Sequence, residues 1–252
     1  MGTQETSTGS PEAPVVFPAV PWLRDGIKYD AYIESCLSHA RNQDAEVTIL
    51  PVHITDTIPD HIEIFRENQM RHVTDKLKEI VEACPEEATH IWFLNADTEV
   101  PPDALRLLLE HDADIASGIS PMHHNWTWTD TWRWLPAPTP TLDGSTPYFK
   151  RLRFMDVEDK IMGDRQVYAT GHFCLLVKKE VFEQVNFRWM PFKMRHCPTC
   201  EAEVECVRQE NGSELTFWKD AFLLGLKCRI DGRVVAGHLP EYPLGKYKLT
   251  EE

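Results

Sequence analysis

The run His90-Ile91-Trp92-Phe93-Leu94-Asn95-Ala96-Asp97-Thr98-Glu99, closed by Pro101-Pro102-Asp103, ends an apolar stretch on an amide and a carboxylate. Such a stretch reads as a buried strand delivering polar groups to the carboxyl edge of a sheet, where open α/β folds put their chemistry. Asn95 and Asp97 stand two residues apart. Strand alternation would therefore set an amide oxygen and a carboxylate on one face, where both can meet one hard cation. That is how a metal-diphosphate site can be built. Taken alone, Asn-x-Asp after a strand also serves as a turn or a helix cap.

The elements that must position these groups follow from hydrophobic periodicity. Val15 to Pro21 reads as a first buried strand and its exit loop, and Asp30 to Ala40 as a helix with Tyr32, Ile33, Cys36 and Leu37 at helical spacing. Val47 to Val52 is a second β-branched run, and Val73 to Cys84 a helix with Leu77, Ile80 and Val81 on one face. After Ile91 to Leu94, a helix from Ala104 to Glu110 and a strand from Asp114 to Ile119 are expected. Strands alternating with helices predict an α/β domain with a mainly parallel sheet flanked by helices. Later, Val167 to Lys178 is strand-like, Lys179 to Val185 helical, Arg195 to Asn211 irregular, Glu214 to Leu224 helical and Cys228 to Ala236 a final strand. His123 to Pro147, rich in Trp, Thr and Pro, reads as a long loop or hairpin inserted in this alternation. The polar, Gly- and Pro-punctuated residues 1–13 read as a disordered tail, and residues 14–252 as a single catalytic domain.

Three separated segments together resemble nucleotide-sugar-dependent glycosyltransferases of the GT-A fold, a Rossmann-like architecture, and particularly their small viral and bacterial members. Asn95-Ala96-Asp97, followed by Pro102-Asp103-Ala104-Leu105, stands where that family has its Asp-x-Asp metal motif, with Asn95 in place of the first Asp. Thr170-Gly171-His172-Phe173-Cys174-Leu175-Leu176-Val177-Lys178-Lys179-Glu180-Val181-Phe182 is similar to the small-residue loop, inner strand and following helix that lie beneath donor and acceptor. Ser213-Glu214-Leu215-Thr216-Phe217-Trp218-Lys219-Asp220-Ala221 with Gly225 resembles the helix that carries the catalytic base of inverting members. Matching Phe217, Ala221 and Gly225 puts Glu214 at that helix's Asp position and Ser213 at its Glu position. Gly237-His238-Leu239 matches a terminal His that often touches the metal or the diphosphate.

The resemblance implies transfer of a sugar from a nucleotide-diphosphate sugar to an acceptor hydroxyl of unknown identity, assisted by Mn2+ or Mg2+ and inverting. One carboxylate takes the acceptor proton while a divalent ion stabilises the departing diphosphate. Glu214 is then the base, Asp97 and His238 the metal ligands, and Asn95, Asp97, Pro21, Gly171 and His172 donor contacts. Arg71, Lys76 and Arg24 are candidates to meet donor phosphates, with solvated positions as the alternative. An imidazole ligand favours Mn2+. A nucleotidyltransferase on a related sheet is disfavoured, because no Gly-rich, basic phosphate loop follows the first strand. A binding protein of the same fold that has lost catalysis is the remaining reading, motivated by Asn95 and Ser213.

Composition narrows the partners. With 26 Lys and Arg against 40 Asp and Glu, the net charge of -14 argues against a broad nucleic-acid or anionic-membrane surface and leaves room only for a local basic patch. No apolar run reaches membrane-span length, and the first residues lack a secretory pattern. The seven cysteines are then expected to be reduced thiols of a cytoplasmic protein. His196, Cys197, Cys200 and Cys206 have the spacing of one half of a structural Zn2+ site, without a second Cys pair; free thiols in an insertion are the alternative. Trp126, Trp128, Trp132 and Trp134 are separated by even numbers of residues, so their indoles would share one strand face, as an acceptor platform or as a flap over the core.

Overall fold

A computed structural model describes residues 13–20, 27–55, 66–122, 125–134, 149–163, 166, 168–188, 192–194, 206–208 and 213–238. The expected tail, all but Ala13, lies outside these residues, as do Pro21, Arg24, His196, Cys197 and Cys200. In chain order the strands begin with β1 (Val15–Val20), β2 (Thr48–Ile49), β3 (His53–Ile54), β4 (His90–Leu94), β5 (Thr98–Glu99), β6 (Ile115–Ile119), β7 (Pro121–Met122) and β8 (Asn125–Trp134). They continue with β9 (Phe149–Arg153), β10 (Ile161–Met162), β11 (Tyr168–Thr170), β12 (Cys174–Lys178), β13 (Phe192–Met194), β14 (Cys206–Arg208), β15 (Cys228–Val235) and β16 (Gly237–His238). The helices are α1 (Ile27–Arg41), α2 (Arg66–Glu82), α3 (Ala104–Leu109), α4 (Phe154–Val157) and α5 (Ser213–Leu223), with a 3-10 turn at Lys179–Glu183.

The α/β class read from the sequence is the one observed. The main sheet has the order β10-β15-β6-β12-β4-β1-β2, with β3 also on β1. β1 is parallel to β2, β3 and β4, and β6 to β15, whereas β12 runs antiparallel between β4 and β6. Helices cover both faces, which is why β4 is apolar at successive positions: Ile91 and Phe93 enter one core with α2 and α5, Trp92 and Leu94 the other with α1 and α3. On α2 the spacing of Val73, Leu77 and Ile80 supplies its buried stripe. Among the described residues no helix is long and apolar enough to cross a membrane. Cys36, Cys84, Cys174 and Cys228 are free thiols.

Three expected elements differ. The run from Val47 to Val52 is two short strands on either side of Leu50-Pro51-Val52, since Pro51 has no N–H for the ladder. Val167 to Lys178 is two strands in two sheets, parted at Gly171-His172-Phe173. The Trp-rich insertion contains a ten-residue strand, β8, which forms a separate sheet with β7, β9 and β11.

Candidate active site

The turn after β4, not strand alternation, positions Asn95 and Asp97. The Thr98 N–H donates to the Asn95 carbonyl at 3.1 Å, and the Cys36 thiol of α1 donates to the same oxygen at 3.3 Å. Burial pushes that thiol up to about 12, so it stays a neutral donor. β5 then pairs antiparallel with β16, His238 opposite Thr98, and this brings the last strand back to the tip of β4. Across that pair, Nε2–H of His238 donates to Oδ2 of Asp97 at 3.2 Å. Burial lowers the His238 pKa, but the hydrogen bond and charge of Asp97, with the charge of Asp130, prevail and raise it. Glu99 is engaged elsewhere: Ser35 Oγ donates to it at 2.7 Å, and His39 Nε2 lies 3.8 Å away.

A pocket of about 200 Å³ opens here, lined by Asn95, Thr98, Ser120, Pro121, Met122, Asp130, Phe173 and His238. Asp130 comes from β8 and keeps 36% of its side-chain surface exposed, yet its carboxyl lies in a recess. Desolvation and the charge of Glu214 together push its pKa up to about 7, against the opposing pull of Arg151, His238 and the Gly171 N–H. Gly171 leaves room for this carboxyl: a Cβ there would fall 2.3 Å from Asp130 Oδ2 and would have to displace it. The loop is held from below, where Trp218 Nε1–H donates to the Thr170 carbonyl at 3.1 Å and Thr170 Oγ1–H to Ser117 Oγ at 2.8 Å.

Glu214, half-buried in the first turn of α5, accepts from Ser213 Oγ at 3.4 Å. Its helix is locked by Phe217, which stacks on Phe187 at 4.5 Å and Phe182 at 5.8 Å between ring centroids. Such pairs contribute about 0.5–1.5 kcal/mol each beyond area burial. His172 stands within the fields of Glu214 and Asp97; burial lowers its pKa more than those charges raise it, and Nδ1 is buried without a hydrogen-bond partner. His172 is thus a neutral imidazole near the carboxylates, with its Nδ1 enclosed.

The structure therefore brings together Asn95, Asp97, Gly171, His172, Glu214 and His238 from four separate segments. Arg71 is exposed on α2 and Lys76 bonds to Glu79 at 2.8 Å; neither lines the pocket. Pro21, His196, Cys197 and Cys200 lie outside the described residues, and so does the side chain of Cys206. Among the described residues no three metal-type side chains converge. Asp130 was not apparent from motifs. Its signal was present, since it occupies the even-numbered register of Trp126, Trp128, Trp132 and Trp134, where a carboxylate among indoles is out of pattern. Of these indoles, Trp132 packs on the main core under the Arg151 guanidinium, 4.7 Å from its ring centroid.

No protein-family model and no curated protein sequence matches the chain. Among solved structures it is similar to A197 from STIV, at 10% identity over 90% of this chain and 85% of that one, with a TM-score of 0.45. It is also similar to GalNAc-T7, solved with UDP, GalNAc and Mn2+, at 9% identity and a TM-score of 0.47. That alignment takes in 91% of this chain but only 44% of the length of GalNAc-T7.

Proposed function

We propose that this protein is a glycosyltransferase of the GT-A type, moving a sugar from a nucleotide-diphosphate donor to an acceptor hydroxyl with inversion. The observation that carries the reading is the meeting of Asp97 and His238, 141 residues apart in the chain, beside a pocket lined by a further carboxylate, Asp130, on which the charge of Glu214 also acts.

The donor set fits a divalent ion. Asp97 Oδ2 and His238 Nε2 stand 3.2 Å apart as a hydrogen-bonded pair, and both would turn to the ion once it displaced the Nε2 proton. Asp97 and His238 would hold such an ion, since Mg2+ or Mn2+ is commonly held by few protein groups together with substrate phosphates. When bound, such an ion supplies positive charge against the diphosphate leaving group. Glu214 takes the acceptor proton from the first turn of α5, where the positive helix end favours its charge. His172, neutral, stands beneath the donor within the fields of Asp97 and Glu214, and Asp130 holds the acceptor from the pocket wall. Asn95 contributes an amide oxygen without charge.

A second reading, a nucleotide-sugar or glycan-binding protein that has lost catalysis, rests on Asn95 and Ser213, an amide and a hydroxyl where the resembling enzymes carry carboxylates. A donor-hydrolysis screen across nucleotide sugars with Mn2+, beside calorimetric titration of the same donors, separates the two. Turnover is expected, and Asp97→Ala should lower it at least about a hundredfold, in line with several kcal/mol of leaving-group stabilisation. Undiminished activity in EDTA or in that variant refutes the metal assignment; binding without turnover favours the second reading.

A further inference from the structure

A second, larger pocket of about 600 Å³ lies on the insertion sheet, between β8, β9 and the β10 edge of the main sheet. Among the described residues its walls carry Arg133, Lys150, Arg151, Arg153 and Lys160 against one carboxylate, Asp156. In a chain of net charge -14 this concentration of cations departs sharply from the average. Two of the guanidinium groups are also incompletely matched, because Nε of Arg133 and Nε of Arg151 are both buried without a hydrogen-bond partner. A buried donor left unmade costs about 1–3 kcal/mol, more when charged; these Nε atoms are themselves enclosed, so an anion in the pocket would act on the two guanidinium groups through their charge. Beside them Trp128 and Tyr168, both half-buried, offer flat rings to the same pocket.

Arg151 joins this pocket to the candidate active site. Its Nη2 lies 4.0 Å from Asp130 Oδ1 and its Nη1 contacts Met122 Sδ; Asp130 and Met122 both line the site beside Asp97 and His238. A ligand seated among the cations would thus reach the reacting centre past one side chain.

Cations that hold phosphates, interleaved with aromatic rings that stack bases, are the elements of a single-strand nucleic-acid groove. We propose that the pocket binds a single strand of nucleic acid, which is the acceptor of the transfer reaction. Calling the strand an acceptor rests on the function proposed above; the binding itself does not. Such a groove is local, and agrees with an acidic chain that has no broad basic surface.

The test is fluorescence anisotropy of a labelled single-stranded DNA oligonucleotide of mixed sequence with the full chain at low salt. Binding is expected, weakening as salt rises by about 0.7 in log affinity per log salt for each phosphate contact. Lys150→Ala with Lys160→Ala, both exposed positions, should weaken binding at least about tenfold and flatten that slope by about 1.4. Trp128→Ala should weaken it several-fold with the slope unchanged, and Trp128→Phe should restore most of the loss. No binding by the wild type, or variants that bind as it does, overturns the proposal. So does inorganic polyphosphate that displaces the strand at equal charge while Trp128→Ala has no effect, since the partner would then be a polyanion without bases. Calorimetric titration and hydrolysis of nucleotide sugars, run on the same samples, isolate the two claims. Donor turnover without strand binding refutes this inference alone; strand binding without donor binding refutes the transferase reading alone.

Discussion

Glu214 and Asp130 are two carboxylates of one site in different surroundings. Glu214 projects from a helix start, whereas Asp130 lies in a recess where desolvation and its neighbour's charge push it up to about 7. Pairs of acids whose environments separate them are how one site divides labour between proton transfer and binding. Glu214→Gln keeps shape and removes basicity. It should leave donor affinity, read by titration, nearly intact and lower turnover by the hundred- to ten-thousandfold typical of a lost acid–base group, about 10²–10⁴. Normal turnover in the Gln variant, or a product that retains the donor's anomeric configuration, would reassign Glu214 to acceptor binding.

At the scale of elements, the site depends on β11 parting from β12. Trp218 of α5 bonds to Thr170 of β11, Thr170 to Ser117 of β6, and Ser117 Oγ donates to the Cys174 carbonyl of β12 at 3.0 Å. This chain of bonds ties helix, insertion sheet and main sheet at the point where Gly171 passes under Asp130. Gly171→Ala tests it. The added methyl must displace the Asp130 carboxylate and crowd the Phe173 ring, 3.2 Å away. A loss of about 1–3 kcal/mol in unfolding free energy is expected from such overpacking, together with a shift in the pH profile of turnover. Wild-type melting and an unmoved profile would show that the loop yields freely.

For the whole molecule, the site works against stability as pH rises. Asp130 has its folded pKa raised above the ordinary carboxylate value of 3.8 to about 7, so the folded state retains a proton that the unfolded chain gives up. Its contribution is present below about pH 4 and is lost as pH rises to about 7. His238, raised from 6.5, acts with the same sign at higher pH. The acid limb belongs to Asp231, fully buried, where desolvation is outweighed by hydrogen bonds from Arg233 and His111, and the net shift is downward. That network stabilises the fold above the ordinary Asp range and is lost as pH falls through it. Asp130→Asn should therefore melt with the wild type at pH 4 and higher at pH 8. With allowance for the solvent that reaches this side chain, the gain should be at least about 2 °C, the equivalent of roughly 1 kcal/mol. Equal melting at both pH values would place the Asp130 carboxyl at its ordinary pKa.

What was legible in the chain is whatever depends on neighbours in sequence. The β4 run is apolar because both its faces are covered, α2 carries its stripe at helical spacing, and Asn95-Ala96-Asp97 marks the strand end; each of these is local. The class of the fold followed from such signals read together, whereas the expectation that Asp97, His172, His238 and Glu214 share one region came from the resemblance that their segments carry. Only the tertiary structure decided the rest. It set β12 antiparallel in the middle of the sheet, because pairing partners are chosen by long-range packing that periodicity does not encode. It also carried Asp130 across to Glu214, and gathered the cations of β8, β9 and the β10 edge into one pocket, although composition alone describes a uniformly acidic chain. Charge is summed along a sequence, but a binding site is formed by where the fold lets a few charges meet.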